Sequence, residues 1–316
     1  GTVRAMHVTV AICTWNRCEL LRQTLERIAS ALVVPPGLAW ELLVVNNHST
    51  DDTDRVIEQF AARLPLRRLH EPRQGLAHAR NRALAEARGE YLVWTDDDVL
   101  VDARWLQAYQ RAFTRRPDAA VFGGPVEPWF PAGPPAWLAE VWAQVCSTYA
   151  VRDLGPEEVP LSGERLPFGA NMAVRTREQR RVPFDAQLGH CADDRVGGEE
   201  TRALRRILAE GATGWWVPEA RVRHCIPEER QTLGYLRSYY RGRGVRLYRE
   251  QEENGERRRS LAWWAAQAAA GELGFRLGRS LQRSRWWIRA GRRSWIARGY
   301  LAAALRSQDR PGAPRR

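Results

Sequence analysis

"GEYLVWTDDDVL", residues 89–100, sets three aspartates side by side at the end of an apolar run. The run Tyr91–Thr95 is aromatic and β-branched, which predicts a buried strand over 91–95. Adjacent carboxylates repel one another, and burying an unpaired one is costly. A hard divalent cation such as Mg2+ or Mn2+ would offset that cost. In an extended backbone Asp96 and Asp98 point to one side and Asp97 to the other. The alternative is a solvated acidic turn that caps the following helix.

Working backward from the aspartates, "GLAHARNRALAEAR" (75–88) predicts a helix stopped by Gly89. A short strand is predicted at 66–70. A helix over 51–63 has Asp51, Asp52 and Asp54 in its first turn, with Ser49 or Thr50 as its cap. "WELLVV" (40–45) and "HVTVAIC" (7–13) are two more buried strands, with a helix at 18–32 between them. Residues 7–98 therefore alternate strand and helix, which implies an α/β fold with a mostly parallel central sheet flanked by helices. Ligands bind such sheets at the carboxyl ends of the strands. "TWNR" (14–17), "NNHSTDDT" (46–53) and "TDDD" (95–98) all fall there, so they should converge on one rim.

Forward of the aspartates, helices are expected at 102–116, 136–147 and 197–211. "LPFGANMAVR" (166–175) is expected to form a strand, and "GWWVPEARVRHC" a last strand ending near His224. Residues 150–165 are polar and loop-like. Asp193 and Asp194 form an acidic pair read as a solvated loop, with a second metal pair as the alternative. Cys13 is expected in the core.

"VAICTWNR", "LLVVNNHSTDDT" and "GLAHARNRALAEARGEYLVWTDDDV" occur in this order. They are followed by "FGANMAVR" and "GGEETRALRRILAEG". The whole series closely resembles the inverting family 2 glycosyltransferases of GT-A fold, over roughly residues 7–245. The resemblance implies transfer of a sugar from a nucleotide-diphosphate donor to an acceptor hydroxyl, with Mn2+ or Mg2+ held by a D-x-D motif. It places Thr14, Asn16 and Arg17 against the nucleotide. Ser49 is grouped with these donor-side residues. Asn46 and Asn47 stand where the family usually carries Asp, a departure that leaves the base preference open. Gly75, Ala79, Arg80 and Asn81 match the helix under the donor, with Arg80 facing the diphosphate. Asp96 would contact ribose or sugar and share the metal with Asp98 and His224. Asp97 is a bystander or an outer acid on the donor side.

Inversion needs a general base. The resemblance puts it in an acidic pair opening a helix, here Glu199-Glu200. Glu200 aligns with the family's catalytic Asp, and Glu199 is the alternative. Without the resemblance the pair reads as first-turn acids on a helix N-terminus. Asn171 is expected to hydrogen-bond the transferred sugar, with Gly169 and Ala170 letting backbone approach the ligand.

Charge is unevenly placed. The chain has 49 basic residues, all Arg, against 37 acids, and residues 221–316 hold 23 of those arginines against 8 acids. The lack of Lys fits the coding bias of a GC-rich, bacterial genome. Such asymmetry points to an anionic partner surface. Five cysteines with no C-x-x-C argue against a disulfide framework or zinc ribbon, which fits a reducing, cytoplasmic setting. Gly1–His7 shows no apolar signal-peptide core, and no stretch is long and apolar enough to span a bilayer. Residues 259–308 are expected to be helical. They place Trp263, Trp264, Trp286, Trp287 and Trp295 among Arg279, Arg283, Arg285, Arg289, Arg292 and Arg293, a mixture suited to peripheral contact with the cytoplasmic face of a membrane. A helical pair packed on the catalytic domain is the alternative, and a lipid-linked or glycan acceptor would fit the first.

The expected division is a catalytic domain over 1–228, made of a nucleotide-sugar half (1–100) and an acceptor half (101–228), followed by a basic helical region, 229–316. A nucleic-acid-binding protein would explain the arginines and leave the acids unexplained, and no nucleic-acid signature is present. A nucleotidyltransferase would carry a glycine-rich basic loop after the first strand, which "TWNR" is not. A catalytically silent scaffold remains open on the Asn46-Asn47 and Glu199-Glu200 departures.

Overall fold

The structure, a computed structural model, describes residues 6–186, 190–191, 194–195, 198–281 and 284–308. Asp193, Gly197 and Arg283 lie outside the described residues, as do the side chains of Asp194 and Arg285, so the second acidic pair is not described. The chain divides into two compact units. One comprises residues 1–129, 150–192 and 198–225, the other 130–149, 193–197 and 226–316. Residues 130–149, which the sequence assigns to the acceptor half, thus cluster with the C-terminal helices.

The first unit is built on a seven-stranded sheet. Its opening half runs β1 (Met6–Thr14), α1 (Cys18–Ala31), β2 (Leu38–Asn46), α2 (Thr53–Phe60), β3 (Leu66–His70), α3 (Leu76–Glu86) and β4 (Tyr91–Asp96). β5 (Val99–Val101), α4 (Trp105–Arg115), β6 (Ala119–Gly123), β7 (Val126–Trp129) and α5 (Ala136–Val145) follow. Then come β8 (Asn171–Arg175), α6 (Thr176–Arg181), the two-residue strands β9 (His190–Cys191) and β10 (Asp194–Arg195), α7 (Glu199–Ala209), β11 (Thr213–Trp216) and β12 (Val222–Cys225). The large sheet has the order β11-β6-β8-β4-β1-β2-β3. β1, β2, β3 and β4 are mutually parallel, while β8 runs antiparallel between β4 and β6. This is the mostly parallel α/β architecture expected.

Both faces of the sheet are covered. From β1, Val8, Val10 and Ile12 join Leu21, Leu25 and Ile28 of α1 in one core. Ala11, from the other face, joins Ala77, Ala79 and Ala83 of α3. The alternation along β1 and the i, i+4, i+7 stripe on α1 are the two periodicities that drive this layering.

Several boundaries differ from the sequence reading. α2 starts behind Asp52, and Ser49 instead uses its hydroxyl to accept from the Asn16 amide at 2.9 Å. α3 ends at Glu86, before Gly89, whose missing side chain leaves room for the Thr9 backbone. "LPFGANMAVR" is strand only from Asn171, because the Asn171 amide first closes a turn onto Phe168 O. "GWWVPEARVRHC" supplies two strands. Pro218 breaks it, and β11 pairs with β6 while β12 lies between β5 and β7 in a second, three-stranded sheet.

The second unit joins α5 to α8 (Leu233–Glu253), α9 (Leu261–Ser280) and α10 (Ser284–Gln308). Thr232 caps α8 by accepting from Tyr235 N, and Ser260 caps α9 by accepting from Trp263 N. α8 and α10 approach through glycines. A Cβ on Gly244 would stand 2.0 Å from Ile296 O, and one on Gly299 the same distance from Arg241 O. Trp264, Trp287 and Trp295 are buried, so three of the five tryptophans expected at a membrane are core, while Trp263 and Trp286 are exposed. Among the described residues no helix is long and apolar enough to cross a membrane.

Candidate functional site

The carboxyl ends of β1, β2 and β4 bring the three polar segments together, because parallel strands side by side end on one edge. β1 and β4 are in register from Val8–Tyr91 to Cys13–Asp96. The chain turns immediately after Asp96, so the simple extended alternation stops there. Asp96 keeps a side chain one-third exposed, while Asp97 and Asp98 are almost fully buried.

Four groups offset the three carboxylates. Thr14 donates its hydroxyl to Asp97 Oδ2 at 2.7 Å. Arg17 donates one guanidinium nitrogen to Asp97 Oδ1 at 3.0 Å and to Asp98 Oδ2 at 3.3 Å. His224 Nε2, delivered by β12, stands 3.3 Å from Asp98 Oδ1. Arg80 Nη2 lies 3.9 Å from Asp96 Oδ1. Thr24 fixes the turn by donating to Asp97 O at 2.9 Å. Burial pushes Asp97 up to about 6 against the opposing pull of Arg17. Asp96 is also raised, by desolvation first, with Arg80 opposing and the charge of Asp98 adding. Asp97 is therefore not a bystander, since it holds the strand-end loop of β1 against that of β4.

Arg80 is buried at 3 % exposure. Its Nη1 meets Glu199 Oε1 at 2.7 Å and Glu200 Oε2 at 3.4 Å. The Phe184 ring lies 5.4 Å away, and Gly169 is so close that a Cβ there would stand 2.2 Å from Nη2. Arg80 thus spans from Asp96 to the first turn of α7. The resemblance expects it to face a diphosphate; here its guanidinium is enclosed by the chain's own acids. Glu199 is 2 % exposed, and burial together with the charge of Glu200 pushes it up to about 7, with Arg80 opposing. The Glu200 side chain is 19 % exposed and faces more open space. Cys13, at the foot of this cluster, is pushed up to about 12 by burial and stays a thiol.

Asn46 and Asn47 carry structural bonds. Asn46 donates to Asp54 Oδ1 at 2.8 Å and accepts from Ser49 N. Asn47 donates to Glu71 O and Arg73 O and accepts from Gly75 N at 2.8 Å. An Asp at 47 could not donate to those two carbonyls, and one at 46 would face Asp54. Both amides are engaged with the chain's own groups. Asn16, in the left-handed region at φ 51°, accepts from Thr50 N at 2.7 Å and ties the β1 and β2 loops together. Asn171, which the resemblance expects to bond the transferred sugar, is fully buried, accepts from Trp105 Nε1 and Tyr109 Oη, and donates to Pro125 O and Ala220 O. These four bonds use its donors and acceptors within the fold. Asn81, by donating to Phe184 O and accepting from Phe184 N, likewise serves the fold.

Among the described residues no three His, Cys, Asp or Glu side chains form a ready cage for a cation. Asp96, Asp98 and His224 nonetheless offer carboxylate oxygens and an imidazole nitrogen, a donor set suited to Mn2+ or Mg2+ whose other positions would be filled by phosphate oxygens or water.

Residues 9–136 match the glycosyl transferase family 2 profile. The chain is 28 % identical over 235 residues to the succinoglycan biosynthesis protein ExoM of Rhizobium meliloti, covering 73 % of this chain and 71 % of that protein. It is 25 % identical over 253 residues to the glucosyl-dolichyl phosphate glucuronosyltransferase of Haloferax volcanii, covering 77 % of each. Among solved structures it is similar to a mannosyltransferase from Pyrobaculum calidifontis in complex with GDP-Man and Mn2+, with a TM-score of 0.59, 20 % identity, and 96 % of this chain and 87 % of that one covered. It is also similar to S. aureus TarS 1-349 in complex with UDP, with a TM-score of 0.56, 15 % identity, and 96 % and 92 % covered.

Proposed function

We propose that the chain is a family 2 glycosyltransferase of GT-A fold and that it moves a sugar from a nucleotide-diphosphate donor to an acceptor hydroxyl with inversion, at the rim where β4, β12 and α7 meet. The observation that carries this reading is the span of Arg80. It links Asp96, on the donor side, to Glu199 and Glu200, on the acceptor side, within one cluster.

Asp98, Asp96 and His224 would hold a divalent cation. When bound, the cation neutralises charge on the departing diphosphate. Arg17, which bridges Asp97 and Asp98 and is still 42 % exposed, is placed to turn toward the phosphates once Asp98 has another partner. The acceptor oxygen attacks the anomeric carbon opposite the diphosphate. The bond to the diphosphate oxygen breaks and its electron pair leaves with the nucleotide. Glu200 takes the proton of the acceptor hydroxyl. Its more open position favours it over Glu199, which Arg80 holds in the core to fix the start of α7. The related structures carry GDP-Man and UDP, so the base of the donor is a matter for direct measurement.

The test is thermal-shift titration with GDP, UDP and their sugars, with and without Mn2+, followed by transfer assays. A bound donor raises Tm by mass action. The wild type should show a Mn2+-dependent shift that Asp98→Asn abolishes. Glu200→Gln should keep the shift and lose transfer by about 10²-fold or more. Near-normal transfer by Glu200→Gln would remove it as the base.

A further inference from the structure

α9 is apolar on two faces. One face, carrying Trp264, Ala268, Gly271 and Phe275, is buried in the helical unit. The opposite face carries Trp263, Leu273, Leu277 and Leu281, with alanines filling the turns between. These four are 38 %, 61 %, 48 % and 63 % exposed. From α10, Trp286 lies across Gly274 and Gly278 and is itself 49 % exposed, which widens the strip. A helix apolar all round is ordinarily enclosed, and singly scattered exposed leucines need no partner, but a continuous strip calls for one.

Charge decides which partner. Residues 261–308 hold nine arginines and one acid, Glu272. Glu272 is already met by Arg276 at 3.0 Å and Arg298 at 3.6 Å. Arg289, one turn beyond Trp286, is exposed and has no acid within ion-pair distance among the described residues; Arg279 is exposed too, but two residues from both Leu277 and Leu281 it lies on the other side of α9 from them. Leucines for the acyl boundary, a tryptophan at headgroup level and an unpaired guanidinium group beside it are what an anionic bilayer surface accepts. α9 has 20 residues, but Glu272, Arg276 and Arg279 interrupt it, so it suits lying in the interface and not spanning.

We infer that the outer face of α9, extended by Trp286 and flanked by Arg289, docks this chain on an anionic lipid surface. The surface is not the row of tryptophans that the sequence suggests, since most of those are core. The inference does not depend on the glycosyl-transfer mechanism and is tested without an activity assay.

The experiment is flotation of the full chain with phosphatidylglycerol-containing vesicles and with phosphatidylcholine vesicles, alongside size-exclusion chromatography. The wild type should float with the first and stay behind with the second. Leu277→Glu with Leu281→Glu should lower the floated fraction about ten-fold or more. Leu305→Glu, an exposed leucine elsewhere on α10, should float as the wild type does. Arg289→Ser, which leaves the leucines in place, should erode the preference for anionic vesicles. The inference is overturned if the wild type does not float, or if both strip variants float unchanged. It also fails if the strip variant only converts a dimer to a monomer, which would make a second copy the occupant.

Discussion

Arg80→Gln tests the cluster on which the site reading rests. Burial raises Glu199 from 4.5 to about 7, and Arg80 is the group that opposes this rise. In a folded chain with a raised carboxyl pKa, the unfolded state loses its proton first. The folded state then holds more protons between 4.5 and 7, so stability falls as pH climbs through that window and levels off above it. Without Arg80 the Glu199 pKa moves still higher, and the decline continues where the wild type is already flat. Each further pKa unit would remove about 1.4 kcal/mol on the alkaline side of that window. Beneath this lies a loss independent of pH, about 1.5–3 kcal/mol for the charge-assisted bonds removed. Urea or thermal melts at about pH 5 and about pH 8 separate the two parts, the pH-dependent part appearing as a larger loss of Tm at the higher pH. In a Glu199→Gln background the pH-dependent part should shrink to what Asp96, which Arg80 also opposes, contributes. An Arg80→Gln loss that is equal at both pH values, or whose pH dependence is unchanged without Glu199, would refute the reasoning.

Asn171→Ala should destabilise by about 3 kcal/mol or more, because Trp105 Nε1, Tyr109 Oη and two carbonyls lose their partner in the core; a melting curve within error of the wild type would return Asn171 to a ligand role. Asn47→Asp should cost about 1–3 kcal/mol by turning an acid against Glu71 O and Arg73 O, read by urea unfolding. Gly244→Ala should loosen the α8–α10 contact, since the new Cβ meets backbone at 2.0 Å, and hydrogen exchange should rise in both helices.

The alternation of apolar strands with amphipathic helices over residues 7–98 was legible in the sequence, because period 2 and period 3.6 are local properties of the chain. So was the meeting of "TWNR", "NNHSTDDT" and "TDDD", because parallel strands must end on the same edge. Tertiary structure decided how each polar side chain is used. Asn47 and Asn171 look like ligand-facing amides in one dimension and are consumed by backbone and ring partners in three. Arg80 sits on a helix that sequence alone orients toward the donor. Its partners in the fold are Glu199 and Glu200, more than a hundred residues away, and they meet it only because the fold brings the first turn of α7 to the Arg80 side chain. The tryptophans of the C-terminal helices were likewise ambiguous, since a ring in a core and a ring at a membrane share one local signature. Burial distinguished them, leaving the leucines of α9 outside. Hydrogen-bond saturation and burial are sums over neighbours distant in sequence, and that is why the chain's pattern determined its architecture while only its packing determined which residues remain available for chemistry.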